Sequence, residues 1–187
     1  LPETLSNNLC SLRPNEEKRT FSGVFVMNKN GDIKEEWFGK TITESDVRLS
    51  YEEAQHIIET GEVKIPKEHT ILKKEKNVTQ KTAEAIITLN SIAKTVRKKR
   101  INNGAIIFDK TEIKFKLDKK NQPEKILFKT TKSSNKLIEE FMLLANKKVA
   151  EKMRKSKERT GHRVHDQPDE EKLKNMQTGE KRRSYNI

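Results

Sequence analysis

Residues 134–152 have the sequence SNKLIEEFMLLANKKVAEK and form the most informative stretch of this chain. At 100° per residue, their apolar side chains cover most of the circumference of a helix, which is typical of a buried helix. Glu140 belongs to the narrow polar stripe and can pair with Lys136 across one turn. Glu139 points between apolar neighbours instead. We therefore expect its carboxylate to be buried and to have a dedicated partner, a ligand hydroxyl or a raised pKa.

Two hairpins are predicted before this helix. Residues 21–28 alternate as in a strand that is buried on both faces, and residues 33–41 are the return strand. Asn30-Gly31 between them provides the pair of positive-φ residues that a tight turn prefers. Residues 113–117 and 124–130 alternate in the same way and can pair with each other.

Two further helices are predicted from local signals. Ser50–Glu53 fits a capping box that starts a short helix, and Gly61 ends that helix. Residues 62–78 have no clear period and are interpreted as a loop or surface insertion. A long helix is expected over residues 79–99, and a short strand over residues 106–109. The apolar face of the long helix contains Ala85, Ile86, Leu89, Ile92, Ala93 and Val96. Hairpins interleaved with helices predict an α+β fold.

The charge balance indicates a polyanionic partner. The 187 residues include 40 Lys and Arg against 28 Asp and Glu, which gives a formal charge of +12. Anionic lipid is the alternative to nucleic acid. Neither a run of about 18 apolar residues nor a secretory signal segment is present. Because the single Cys10 can form no internal disulfide, we expect a reducing, cytoplasmic setting. The first residue is Leu1 and not Met, so we expect a piece of a longer protein.

Residue chemistry alone identifies no catalytic machinery. Gly-rich phosphate loops, nucleophile elbows and helical zinc motifs are absent from the sequence. His162 and His165 are the only histidines close together, and a flexible basic tail explains them more simply than a metal pair does. The aspartates are mostly isolated, without the cluster that holds two magnesium ions for phosphodiester hydrolysis.

Several segments of the sequence resemble segments of one known protein family. Residues 1–16, LPETLSNNLCSLRPNE, closely resemble a stretch of the catalytic domain of the ribonuclease II and ribonuclease R family. The similarity continues, in order, through residues 36–41 (EWFGKT), 49–55 (LSYEEAQ), 103–109 (NGAIIFD) and 137–146 (LIEEFMLLAN). Residues 163–169, RVHDQPD, resemble the segment that follows in the bacterial ribonuclease R branch. Residues 62–78 look longer than in relatives, and residues 176–187 depart from the family pattern.

This resemblance implies part of a processive, hydrolytic 3′-to-5′ exoribonuclease that threads single-stranded RNA into a channel and releases nucleoside 5′-monophosphates with magnesium. Residues 1–155 would be the central part of an RNB-type catalytic domain, and residues 156–187 a basic, poorly packed C-terminal segment. In the family, the aspartate cluster that holds magnesium precedes the first matched segment, and a catalytic arginine motif follows the last. We therefore expect no catalytic residue and no magnesium site in this chain, inactivity of the chain alone, and the remainder of the domain as a partner.

The resemblance also implies site residues. Tyr51 and Glu139 match family positions that contact the sugar and base of RNA and favour ribose. Aromatic packing and a buried structural acid are the respective alternatives. Arg97, Lys98 and Arg100 are secondary candidates for RNA phosphate contact, although a solvated helix end matched to the helix dipole is the more common reason for such a run.

The alternative function for the whole chain is a non-catalytic basic RNA-binding module derived from the same domain. A membrane-surface binder is a further alternative, and we expect no membrane partner because an amphipathic cationic helix with exposed aromatic residues is lacking.

Overall fold

The computed structural model describes residues 2–106, 112–118 and 122–156, together with residues 161, 167, 169–172 and 174–175. The chain divides into two compact units, Leu1–Val149 and Ala150–Ile187. A π-helical segment, Thr4–Leu9, is followed by β1 (Glu17–Met27), β2 (Ile33–Glu44), α1 (Tyr51–Thr60), β3 (Lys64–Ile65), β4 (Lys76–Asn77), α2 (Gln80–Asn102), β5 (Glu112–Leu117), β6 (Pro123–Lys129) and α3 (Ser133–Ser156). The described strands form three antiparallel two-stranded sheets, β1-β2, β3-β4 and β5-β6. The predicted α+β class is confirmed.

The β1-β2 hairpin is present as predicted, but its turn differs. Gly31 has a φ of 77°, whereas Asn30 does not adopt a positive φ, so the expected pair of positive-φ residues is wrong. The turn is closed by Asn28, whose side-chain oxygen accepts from the Asp32 N–H at 2.9 Å and whose carbonyl accepts from the Gly31 N–H. A single left-handed glycine after such a turn is the usual solution for a longer hairpin connection. Gly31 also contacts α2, since a Cβ there would lie 2.7 Å from Val96 Cγ2.

The prediction that β1 is buried on both faces is wrong. Phe21 and Val24 are exposed, as is Trp37 on the paired strand. Alternation shows which side chains share a face of the sheet, but it does not show that another element covers that face. Neither face of this hairpin is fully covered by the described residues.

The buried core of the described residues lies between α1, α2 and the segment that joins them. Ile57, Ile65 and Ala83 form it, and Ile57 and Ile65 are fully buried. The interpretation of residues 62–78 as a surface loop is therefore wrong in one respect, because this segment pairs β3 with β4 and inserts Ile65 into the core. The sequence did not reveal this role because the apolar residues of the segment are irregularly spaced among its lysines and so have no period.

The two predicted helix boundaries of α1 are confirmed. The Ser50 hydroxyl accepts from the Glu53 N–H at 3.1 Å, and the Glu53 carboxylate accepts from the Ser50 N–H at 2.8 Å. Gly61, with a φ of 75°, ends the helix. Both signals depend only on residues within one turn of the helix end, which is why the sequence is sufficient to locate them.

The long helix α2 is also present, but its predicted core face is only partly buried. Ala93 of that face is buried and Ile86 packs against the core, whereas Ala85 and Leu89 are exposed. Ala83 and Asn90, which we did not expect on the core face, are buried as well. The apolar residues of α2 extend around more than one side, and the position of α1 decides which side is covered. Asn103 and Gly104 end the helix as predicted.

The remaining elements are partly described. The β5-β6 pairing confirms the second predicted hairpin. The short strand expected at residues 106–109 lies outside the described residues except for Ile106, which is in no strand. Most of the predicted C-terminal segment, including His162 and His165, also lies outside them. The described helices include none with the length and apolar character needed to cross a membrane.

The prediction that α3 is buried around most of its circumference is wrong for the described structure. Ile138, Met142 and Val149 are all exposed. The burial expected from the apolar pattern would require covering elements that the described residues do not contain.

Candidate functional site

Tyr51 lies on the wall of a cavity of about 900 Å³. It is the first residue of α1, directly after the Ser50 cap, and it is 43% exposed. The apolar wall is contributed by α1, α2, the start of α3 and residues outside the helices: Leu49, Ala54, Ile58, Ile71, Leu72, Ile86, Leu89, Leu137 and Ile138. A concave apolar surface of this size with an exposed aromatic ring is suited to a small planar ligand.

An ion pair forms the polar end of this cavity. Lys76 Nζ on β4 lies 3.1 Å from Glu53 Oε2 and also donates to the Arg48 carbonyl. Glu53 is buried, so it needs these partners as well as its capping bond. The pair ties residues 62–78 to the start of α1. Sequence reasoning missed Lys76 because its partner is distant in sequence.

A second buried side chain fixes α3 against α1. The Gln55 side-chain oxygen accepts from the Ser134 N–H at 2.9 Å, and its nitrogen donates to Glu59 Oε1 at 2.6 Å. The Ser134 N–H is one of the donors at the start of a helix that have no partner within the helix. Gln55 therefore holds the beginning of α3 beside the cavity, and no local sequence signal marked it.

Two arginines of α2 bind the adjacent acids of α3. Glu140 is 2% exposed and accepts from Arg100 Nη2 at 2.6 Å, from Arg100 Nε at 3.1 Å and from Arg97 Nη1 at 3.5 Å. The hydrogen bond to Glu140 raises the pKa of Arg100, although burial of the guanidinium acts in the opposite direction. This fork geometry is a strong form of ionic hydrogen bonding. Arg97 and Arg100 are three residues apart, so they share one face of α2, and this spacing was the available sequence signal.

Glu139 occupies the more exposed position of the two acids. Its side chain is 42% exposed, and its oxygens lie 3.8 Å from Arg97 Nη1 and 3.6 Å from Arg100 Nη2. Our expectation that Glu139 is buried and Glu140 lies in a solvated stripe is wrong. The helical projection considered only α3, whereas the arginines come from α2 and select Glu140. Ile138, the neighbour of Glu139, lies on the cavity wall with Tyr51, whereas Glu139 itself does not line the cavity.

The basic run at the end of α2 makes more internal contacts than a solvated helix end. Lys99 Nζ donates to Asp32 Oδ1 in the β1-β2 turn, and this hydrogen bond, together with one from Asn28, lowers the pKa of Asp32. Arg97 and Arg100 reach α3, as described above. Lys98 is exposed. Of the secondary phosphate candidates, Lys98 therefore differs from Arg97 and Arg100, whose charges face carboxylates.

The described residues do not fit a magnesium site. Within this part of the chain, no group of three or more His, Cys, Asp or Glu side chains is arranged to hold a metal ion. Glu53, which lines the cavity, is instead paired with Lys76, and Glu139 and Glu140 of α3 are paired with the two arginines. The location of magnesium in the rest of the domain stays a prediction.

Residues 1–186 match the RNB domain. The chain belongs to this family. It is 36% identical over 177 residues to DIS3-like exonuclease 2 of Caenorhabditis elegans, a match that covers 94% of this chain and 21% of that protein. It is 35% identical over 182 residues to inactive exonuclease DIS3L2 of Arabidopsis thaliana, covering 95% of this chain and 17% of that protein. The chain thus spans about a fifth of the length of these curated relatives.

The fold is also similar to a solved RNB structure. Mycoplasma genitalium RNase R in complex with ribose methylated single-stranded RNA matches with a TM-score of 0.78 and 25% sequence identity. The match covers 93% of this chain and 25% of that chain. The expected membership of the family is confirmed. The relatives include both DIS3-like proteins and RNase R. The comparisons therefore show the RNB family but do not assign this chain to its bacterial ribonuclease R branch.

Proposed function

We propose that this chain forms part of the RNA channel of a 3′-to-5′ hydrolytic exoribonuclease and contacts single-stranded RNA through Tyr51 and Glu139. The observation that carries the proposal is the cavity of about 900 Å³, which has Tyr51 and Ile138 on its wall; Glu139 is not part of that wall but directly follows Ile138 on α3. An aromatic ring can stack on a nucleobase, and such stacking contributes about 1–3 kcal/mol per base. A carboxylate can accept a hydrogen bond from a ribose 2′-hydroxyl, which DNA lacks.

Binding to three oligouridines tests this assignment. The ribose form donates from its 2′-hydroxyl, the 2′-O-methyl form keeps the oxygen but loses the donor, and the deoxyribose form has neither. In fluorescence anisotropy, we expect Glu139→Gln to weaken binding of the ribose form about tenfold, since hydrogen bonds to charged groups contribute about 1.5–3 kcal/mol. Binding of the other two forms should not change. Equal losses for all three oligonucleotides would exclude recognition of the 2′-hydroxyl by Glu139.

Tyr51 requires its own comparison. Tyr51→Ala should weaken binding of all three oligouridines, because stacking involves the base and not the sugar, whereas Tyr51→Phe should retain most of the affinity. Glu84→Gln is the matched control for Glu139→Gln, since Glu84 is an exposed acid on α2. If Tyr51→Ala binds as tightly as the unmodified chain, Tyr51 packs within the protein and does not contact RNA.

Hydrolysis is proposed to need the remainder of the domain. The described residues offer no metal site, and the chain spans 21% of the DIS3-like relative. We therefore expect RNA binding without release of nucleoside monophosphates when magnesium is added to this chain. Release of mononucleotides by the purified chain would refute that part of the proposal. A bacterial ribonuclease R identity and a cytoplasmic location are narrower proposals, supported by residues 163–169 and by Cys10 respectively.

A non-catalytic RNA-binding module is the second candidate function. It is supported by the formal charge of +12 and by the 35% identity to a relative described as an inactive exonuclease. Adding the missing parts of the domain from a relative separates the two candidates. Restored magnesium-dependent exonuclease activity supports the channel role, whereas binding without activity in the completed domain supports the module.

A further inference from the structure

Glu140 is the best-satisfied carboxylate of the described α2-α3 contact. Its two oxygens accept three hydrogen bonds from Arg97 and Arg100, and its side chain is 2% exposed. A buried carboxylate is stable only with such partners. Conversely, the two guanidiniums, which are 16% and 31% exposed, have Glu140 as their hydrogen-bonded acid.

Glu139 lies close to the same guanidiniums but at longer distances. Its oxygens are 3.6 Å and 3.8 Å from the nearest arginine nitrogens, which is an electrostatic contact and not a short hydrogen bond. Because Glu140 takes the short bonds, the Glu139 oxygens keep lone pairs for a donor that approaches from the solvent side. The arginines still attract the Glu139 carboxylate and limit its motion.

We infer that Glu140 is a positioning residue, which occupies Arg97 and Arg100 and so keeps the Glu139 carboxylate available to a ligand hydroxyl. If Glu140 cannot bind both arginines fully, Glu139 is the nearest acid that can replace it. Glu139 would then turn into the α2-α3 contact and lose its availability. The nature of the hydroxyl donor, a ribose of single-stranded RNA, rests on the proposed function. The competition between the two acids does not.

Carboxyl labelling tests the competition without RNA. A carbodiimide and an amine nucleophile modify accessible carboxylates, and mass spectrometry gives the extent at each residue. We expect Glu139 to be labelled in the unmodified chain and its labelling to fall about tenfold in Glu140→Gln, which corresponds to about 1.4 kcal/mol. In the double variant Arg100→Met/Glu140→Gln only Arg97 is left to attract Glu139, so labelling of Glu139 should recover in part, to a level between those of Glu140→Gln and the unmodified chain. Glu84 serves as an internal exposed reference.

The labelling of Glu139 in Glu140→Gln can overturn the inference. Unchanged labelling of Glu139 in Glu140→Gln, with circular dichroism showing a folded chain, would overturn the inference. If Glu140→Gln does not fold, the double variant is compared with Arg100→Met alone. In that comparison we expect lower labelling of Glu139 in the double variant, because Arg97 has lost Glu140 and pairs with Glu139 instead, and equal labelling would overturn the inference.

Oligonucleotide selectivity then separates this inference from the proposed function. We expect Glu140→Gln to reduce the preference for ribose over deoxyribose oligouridine about as much as Glu139→Gln does, although Glu139 is intact. If labelling changes as expected but neither variant alters the ribose preference, the positioning role stands and the proposed ligand of Glu139 is wrong. If Glu139→Gln alters the preference and Glu140→Gln alters neither preference nor labelling, the positioning role is wrong.

Discussion

The contact between Arg100 and Glu140 gives the sharpest stability prediction. Arg100 donates two of the three hydrogen bonds that Glu140 accepts, and Arg97 donates the third, at 3.5 Å. Arg100→Met keeps much of the aliphatic stem and removes both of its bonds. Loss of a hydrogen bond to a charged group costs about 1.5–3 kcal/mol, and loss of a buried pair about 3–5 kcal/mol. Because Arg100 is 31% exposed and Arg97 remains, we expect Arg100→Met to lower the free energy of unfolding by about 2–3 kcal/mol, less than the loss of a fully buried pair.

A double-mutant cycle isolates the pair. Urea unfolding followed by circular dichroism is measured for the unmodified chain, Arg100→Met, Glu140→Gln and the double variant. The double variant should be less destabilised than the sum of the single variants by about 1–2 kcal/mol, since each single change leaves a charged or polar group without its partner. Lys98→Met is the control for an exposed cation in the same run and should change stability by less than about 0.5 kcal/mol. Additive single effects would show that the two side chains do not interact as described.

Two other predictions concern charges at the end of α2. The hydrogen bonds from Lys99 and Asn28 lower the pKa of Asp32 below its ordinary 3.8, so the contact stabilises the folded state above that pH and is lost as the pH falls through the lowered value. An NMR titration of the Gly31 amide should show this acid transition, and Asp32→Asn should abolish it; persistence in the variant would exclude Asp32 as its source. The salt dependence of RNA binding should decrease by about 0.7 in slope for Lys98→Gln if Lys98 contacts a phosphate, and hardly change for Arg97→Gln. An equal decrease for both would show that Arg97 also reaches the RNA.

The sequence predicted those features whose causes are local. The capping box at Ser50 and Glu53 and the stops at Gly61 and Asn103-Gly104 involve groups within one turn of a helix end. The hairpin pairings followed from alternation and a turn. In each case, the residues that decide the structure are neighbours in the chain, so the pattern contains the necessary information.

The faces of the helices could not be predicted in the same way. The apolar pattern predicts Leu89 on the core face of α2, but Leu89 is exposed and Asn90 beside it is buried. On α3, the exchange of roles between Glu139 and Glu140 depends on guanidiniums about forty residues earlier in the chain, as the separations of 40 and 43 positions show. A projection of one helix ranks its faces by hydrophobicity. It does not include the charged residue that another helix brings to one of those faces.

The same interaction changes the meaning of the basic composition. The formal charge of +12 counts every Lys and Arg equally. In the structure, Arg97, Lys99 and Arg100 all face carboxylates, whereas Lys98, the remaining member of the run, is exposed. The attraction of this helix end for a polyanion is therefore weaker than its sequence suggests, because each paired acid offsets the field of its partner. The arginines contribute instead to geometry: they fix α3 against α2 and, through Glu140, determine how Glu139 is presented.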